Sequence, residues 1–228
     1  MKQEFDLDSE IGGGSVGTPT IMVREYRDSD FDALVRVYQS AFAEAPWNEF
    51  KRCVNCSQGY GLTDYTLPTC VSCTQPLVTE DFWEKETIKS DLVDAVREAN
   101  SFVLVAQADT SLVGFTWGYK LPAEKFPFLG DYARESIYMD EIAVAGSCRL
   151  RGVGRSLGDA FLDQVAQQGF KTAVLRTDER NVASMALFAK LGFQPLRSEQ
   201  GTILYDPNYA NRIYLAADRC GTVLNRRD

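Results

Sequence analysis

The sequence predicts a mixed α/β domain of the α+β class, and three observations carry that expectation. Apolar residues recur at helical spacing in some segments and alternate with polar ones in others. These segments follow one another in the order β-α-α-β-β-β-α-β-α-β, with no internal repeat. An apolar strand-like run, Ile137 to Ala145, leads through a short basic glycine loop into a helix-like segment from Gly152 to Gln168.

Taken in order, Ile21 to Tyr26 reads as the first strand. Asp28-Ser29-Asp30 supplies helix-capping side chains, and Phe31, Leu34, Val35, Tyr38 and Phe42 then recur at helical spacing until Pro46. A second helix is expected from Glu80 to Ala99, with Ile88, Leu92, Val96 and Ala99 on one face. Ser101 to Ala108 and Leu112 to Leu121 read as a hairpin around Asp109-Thr110. Further on, a strand is expected at Thr172 to Thr177, and a helix at Asn181 to Leu191. Terminal strands are expected near Gly192 to Leu196 and Arg212 to Ala216.

Bulk properties narrow the functional classes. A chain of 228 residues suits one domain, here residues 20–228 with an inserted loop at 51–76, preceded by an acidic, glycine-rich tail at 1–19. The net charge of −8 argues against a generic nucleic-acid binder and suits a cationic acceptor. No apolar run approaches a membrane span, and the acidic start lacks the pattern of a secretory signal, so a cytoplasmic protein is expected. The absence of histidine excludes a His base, a Ser-His-Asp triad and a His-ligated metal.

Four of the six cysteines form two Cys-x-x-Cys pairs, Cys53/Cys56 and Cys70/Cys73, thirteen residues apart. Two such turns complete a tetrahedral shell of four thiolates. Structural zinc is expected, with iron as the rival metal, because four thiolates leave no open position for catalysis.

The loop Arg149-Leu150-Arg151-Gly152-Val153-Gly154 joins a strand to a helix N-terminus. Backbone N–H groups and the helix dipole there attract anions, and the arginines add charge, so the loop suits a diphosphate. Arg-x-x-Gly-x-Gly in this setting resembles the acyl-CoA pyrophosphate loop of the GNAT superfamily of N-acetyltransferases. Downstream, Asn181, Ser184, Leu187-Phe188 and Gly192-Phe193 resemble that family's closing helix.

The resemblance implies a mostly antiparallel sheet with helices on both faces and a splayed parallel strand pair that holds acetyl-CoA. It implies contacts to the cofactor from Ile142, Ala143, Val144, Arg149, Arg151, Gly152, Val153, Gly154, Arg155, Ser156, Asn181 and Phe188. It implies an amine as the partner substrate, met by Trp47, Glu49 and Phe50, with Phe126 to Phe128 opposite. Glu141 is preferred as general base over Asp140. Strict strand alternation would put Tyr138 and Asp140 on one face and Glu141 on the other.

Phe188 stands where the family often has a tyrosine acid, which leaves Tyr138, Tyr205, Tyr209 and Tyr214 as substitutes. It also leaves open a non-catalytic acyl-CoA sensor. The cysteine insertion is equally suited to shaping the acceptor mouth or to making a homodimer contact.

Overall fold

The computed structural model describes residues 20–218 except Arg134. The expected tail at 1–19 and Cys220 lie outside them. The strands are β1 (Ile21–Glu25), β2 (Lys51–Cys53), β3 (Gly59–Tyr60), β4 (Thr79–Asp81), β5 (Phe102–Ala108), β6 (Ser111–Lys120), β7 (Ser136–Val144), β8 (Thr172–Asp178), β9 (Gln194–Pro195), β10 (Tyr205–Asp206) and β11 (Tyr209–Asp218). The helices are α1 (Phe31–Phe42), α2 (Lys85–Arg97), α3 (Val153–Gln167) and α4 (Val182–Lys190).

The main sheet runs β1-β5-β6-β7-β8-β11-β10, with β9 also on β11, while β3-β2-β4 form a separate small sheet. Every neighbour in the main sheet is antiparallel except β7 and β8, which run parallel. The Asp109 turn joins β5 and β6 as expected, with Asp109 itself at positive φ.

Alternation along the strands divides the core into two layers. Leu34, Val35, Val37 and Tyr38 of α1 and Ile88, Leu92 and Ala95 of α2 pack against Val103, Val105, Phe115 and Trp117 on one face. On the other, Phe161, Leu162 and Val165 of α3 pack with Ile137, Met139, Leu175, Ile213 and Leu215. The second helix starts later than the sequence suggests, because Thr79–Asp81 are claimed as β4 by pairing with β2. Strand β10 was not expected; it forms a tight hairpin with β11, Asp206 opposite Tyr209, and its register shifts between Tyr205 and Asp206.

Candidate active site

The parallel pair opens after four residues. β7 and β8 pair from Ser136↔Thr172 to Met139↔Leu175, yet β7 continues to Val144 and β8 to Asp178. Beyond Met139 the two strands are no longer paired, so a wedge forms with Ile142, Ala143 and Val144 on one side. Ala143 turns to the α1 layer, whereas Ile142 and Val144 pack towards α3.

The same strand is irregular on its other edge. Trp117 of β6 pairs with Glu141, and Gly118 pairs with Met139, which leaves Asp140 as an extra residue. This is a β-bulge, and it breaks strict alternation. Tyr138, Asp140 and Glu141 therefore all line one cavity, and the expectation that Glu141 points away from the other two is corrected. The Thr116 hydroxyl donates to the Glu141 carbonyl at 2.8 Å and satisfies backbone at the bulge. The Trp117 indole N–H donates to Asp140 Oδ2 at 3.1 Å.

That cavity holds about 410 Å³ between α1, α2 and the sheet. Aromatic walls come from Tyr38, Phe42, Trp47, Trp83, Trp117 and Tyr119. Its carboxylates are Glu49, Asp91, Asp94, Glu98, Asp140 and Glu141, against Lys125, Arg176 and Arg212. Lys125 pairs with Glu98, and Arg176 pairs with Asp206 outside the cavity. Among the described residues, Glu49, Asp91, Asp140 and Glu141 have no ion-pair partner.

Such crowding has an electrostatic consequence. Burial, then the nearby carboxylates Asp140, Glu49 and Asp91, push Glu141 well above the ordinary carboxylate range. Burial also raises Asp140, opposed by the Trp117 N–H and by the charge of Arg176. Glu49 is raised by burial, although it accepts a hydrogen bond from Trp83 Nε1 at 2.9 Å. Burial keeps the Tyr138 phenol protonated, with the Asp140 charge adding to the effect.

Of the expected acceptor residues, Trp47 and Glu49 line the cavity and Phe50 does not. Phe50 packs edge-on against Tyr65 of the insertion, at 5.0 Å between ring centroids. Phe126 and Phe128 pack on Tyr138 and Tyr214 behind the cavity wall. Sequence reasoning missed Trp83, Asp91, Asp94, Glu98, Arg176 and Arg212. The acids at 91, 94 and 98 carried a usable signal, since they share one helix face with Ala95.

The basic glycine loop lies where β7 hands over to α3. Gly152 caps α3 with φ of 83°, a conformation that favours glycine, and the Ser156 N–H donates to its carbonyl at 2.9 Å. Gly154 meets a different constraint, because a Cβ there would sit 3.0 Å from Leu187 of α4. Arg149 is committed to the end of α1, paired with Glu44 and donating to the Ala41 carbonyl at 2.8 Å. Arg151 is exposed at the helix start, Val153 is buried beneath it, and Arg155 pairs with Asp159 along α3.

Asn181 caps α4, its Oδ1 accepting from the Ser184 N–H at 3.1 Å. Phe188 lies in the core, 4% exposed, with Phe193 edge-on at 5.8 Å.

These features meet a direct comparison. The model of the acetyltransferase (GNAT) family matches residues 68–193, more than half of the chain. The chain belongs to the GNAT acetyltransferase family. It is 29% identical over 125 residues to mycothiol acetyltransferase of Saccharomonospora viridis, a match spanning 51% of this chain and only 40% of that protein. The PaiA N-acetyltransferase from Thermoplasma acidophilum, solved in complex with coenzyme A, superposes with a TM-score of 0.57 at 12% identity, over 87% of this chain and 99% of that one. YncA, a putative acetyltransferase from Salmonella typhimurium solved with acetyl-CoA, superposes at 0.55 and 13% identity, over 88% and 94%. At these identities the two structures share the fold.

Within this GNAT chain the cysteine insertion forms its own small unit. The four Sγ atoms lie within 4.8 Å of one another, with Cys53–Cys73 at 3.9 Å and Cys56–Cys70 at 3.5 Å. These separations exceed a disulfide and fit a tetrahedral S4 shell, whose edges are about 3.8 Å for metal–sulfur bonds of about 2.3 Å. The Cys73 backbone N–H and the Tyr60 hydroxyl hold the Cys70 thiol down to about 6, while at Cys73 the Gln75 N–H is outweighed by burial and the neighbouring thiols, which push it up to about 11. Tyr60 donates to Cys70 Sγ at 3.0 Å and accepts from the Val71 N–H, an outer support for the cluster.

Proposed function

We propose that this GNAT protein transfers the acetyl group of acetyl-CoA to a primary amine of a small molecule or peptide, by direct attack in a ternary complex. The observation that carries the reading is the junction at Met139. There the β7–β8 wedge opens, with the capped N-terminus of α3 following β7, and the bulge turns Glu141 into the aromatic, acidic cavity.

In this reading acetyl-CoA lies along the wedge, its amide groups meeting unpaired backbone of Ile142 to Val144. Its diphosphate meets the N–H groups of Val153, Gly154 and Arg155 in the first turn of α3, with Arg151 supplying charge. The acceptor enters the cavity, where four carboxylates without ion-pair partners favour a cation and Trp83 and Trp47, the latter already carrying the Arg212 guanidinium 5.3 Å from its ring centroid, form aromatic walls.

Glu141 takes a proton from the ammonium, directly or through one water. Its raised pKa brings it closer to the operating pH than an ordinary carboxylate. The freed amine attacks the thioester carbonyl, the C–N bond forms, and the C–S bond breaks. The departing thiolate takes a proton from Tyr138, which lines the cavity and is held protonated, and the phenolate so formed recovers a proton from the attacking nitrogen as that nitrogen becomes the amide. Phe188 is outside this chemistry, since its ring packs in the core. In the insertion, Cys53, Cys56, Cys70 and Cys73 would hold a structural zinc.

The test is release of free CoA from acetyl-CoA with pooled polyamines, amino acids, aminoglycosides and peptide N-termini. Turnover with one pool is expected. Glu141→Gln should lose it by about 10²–10⁴-fold while still binding acetyl-CoA. Binding of acetyl-CoA without turnover in any pool would overturn the transferase reading and restore the sensor.

A further inference from the structure

We infer that the four-cysteine insertion builds and holds one wall of the acceptor cavity, with Glu49 and Trp83 as positioning residues at the ends of its strands. The consequence for acetyl transfer rests on the reading above; the position of the wall does not.

The connection is continuous backbone pairing. β2 and β4 are antiparallel, with Cys53 opposite Thr79, Arg52 opposite Glu80 and Lys51 opposite Asp81. One step further out, the Phe82 N–H donates to the Phe50 carbonyl at 3.3 Å. The next step is closed by side chains, where Trp83 Nε1 donates to Glu49 Oε2 at 2.9 Å. A metal-ligating residue therefore stands at one end of a two-stranded ladder, and a pair of cavity-lining residues stands at the other. Cys53 lies four residue steps from Glu49, about 13 Å of extended chain.

Cross-strand ion pairs stiffen the ladder, Lys51 to Asp81 and Arg52 to both Glu80 and Glu84. At the cavity end, Gln39 of α1 donates to the Trp83 carbonyl at 2.8 Å, and Tyr38 meets the Trp83 ring edge-on at 5.2 Å.

At the other end, little but the cysteines holds the unit together. Its buried residues are Cys53, Tyr60 and Cys70, two of them ligands. Tyr65, Cys73 and Leu77 pack partly buried against them, while Val54, Leu62, Leu67, Val71 and Val78 are exposed. A unit with so small a core depends on its metal for order. Loss of the metal should loosen the ladder and release Trp83 and Glu49 from their place. The wedge at β7–β8 and the start of α3 belong to the main sheet and its own core, so acetyl-CoA binding should persist.

All three tryptophans of the chain, Trp47, Trp83 and Trp117, line this cavity, so intrinsic fluorescence reads its walls without any acceptor. The experiment uses full-length protein with its zinc content measured, compared with chelator-stripped protein and with the Cys56→Ser/Cys73→Ser double variant. Acrylamide quenching of tryptophan fluorescence and acetyl-CoA titration are followed on each.

The expected result is bound zinc in the wild type and at least about twofold stronger quenching once it is removed, with acetyl-CoA Kd unchanged within about twofold. In a Trp83→Phe background most of that quenching change should vanish, because the loosened ring is gone. For whichever pooled amine turns over, zinc removal should raise KM about tenfold and leave kcat nearly unchanged.

Quenching that does not respond to zinc removal would overturn the inference. So would an equal response in the Trp83→Phe background, a parallel loss of acetyl-CoA affinity, or purified protein without metal. If the double cysteine variant does not fold, the chelated wild type decides. The quenching result stands whether or not any amine is acetylated, so failure of the wall and failure of the transferase are told apart.

Discussion

Trp117 touches both residues of the bulge: its backbone stands opposite Glu141 across the sheet, and its indole N–H donates to Asp140 Oδ2 at 3.1 Å. The extra residue at Asp140 brings two acids to one face of a strand that would otherwise separate them. Burial and this neighbour then raise the pKa of Glu141. Since the base must be ionised to act, the acid limb of kcat/KM against pH should lie above the ordinary carboxylate range. Asp140→Asn removes one of the charges that raise Glu141, so the limb should move to lower pH. A pH–rate profile of the two proteins checks the sign, and a shift to higher pH would contradict it.

In the proposed mechanism Tyr138 serves the thiolate because, of the four tyrosines offered as substitutes for Phe188, it is the one that lines the acceptor cavity. Tyr214 is buried and donates to Asp206 Oδ2 at 2.9 Å, while Tyr205 donates to Glu179 at 3.0 Å. Tyr209 is exposed against the Arg212 guanidinium, 4.4 Å from its ring centroid. Tyr138→Phe keeps the ring packing on Tyr119 and Phe126 and deletes only the hydroxyl. We expect kcat to fall by about 10²-fold with the KM for acetyl-CoA little changed. Steady-state kinetics in both substrates provides the check.

Local chemistry was legible in the sequence, and long-range register was not. The Asp109 turn, the face of α1, the basic loop before α3 and the paired Cys-x-x-Cys turns are each written in neighbouring residues. The bulge is different, because Tyr138 to Glu141 reads as ordinary alternation until Trp117 is found opposite Glu141. Arg176 and Arg212 reach the cavity only through the β8–β11 pairing, in which Arg212 stands opposite Asp178 and Tyr214 opposite Arg176. Phe50 misled for the same reason. One residue beyond Glu49, it joins the ladder to Tyr60 and Phe82 and turns to the insertion.

Asp206 anchors the far wall. Its carboxylate, 5% exposed, accepts from Arg176 Nη1 at 2.7 Å, from the Tyr214 hydroxyl at 2.9 Å and from the Asn208 N–H at 2.8 Å. Burial alone would raise its pKa, but those three donors outweigh it and the net shift is downward. A carboxylate lowered on folding adds stability above its unfolded value and loses it as pH falls through the folded one. Asp206→Asn leaves Arg176 without its partner and should cost about 3 kcal/mol at neutral pH. The deficit should shrink below the ordinary aspartate range, where the wild-type carboxylate is protonated too. Urea midpoints for both proteins at neutral and acidic pH measure it, and a deficit independent of pH would rule out the ion pair as its source.

Gly118 tests how tightly the bulge is built. It stands opposite Met139, the last residue before the irregularity, and a Cβ there would lie 2.4 Å from the Tyr138 carbonyl oxygen and 2.6 Å from Phe161 Cζ. The first contact is backbone and cannot swing aside, so the strand itself must move. Gly118→Ala should therefore destabilise by about 1–3 kcal/mol, the range for overpacking a filled core. Displacing Tyr138 should lower kcat as well, since the phenol and the Glu141 carboxylate are carried by the same strand. Gly152→Ala is the contrasting case: its φ of 83° imposes backbone strain, but nothing lies within 4 Å of the added carbon. That change should cost about 1 kcal/mol and act on acetyl-CoA affinity, not on kcat. Denaturation midpoints with kcat and acetyl-CoA Kd for both variants separate the two roles; a Gly118→Ala protein as stable and as fast as wild type would mean that β6 and β7 are not held together as tightly as their register requires.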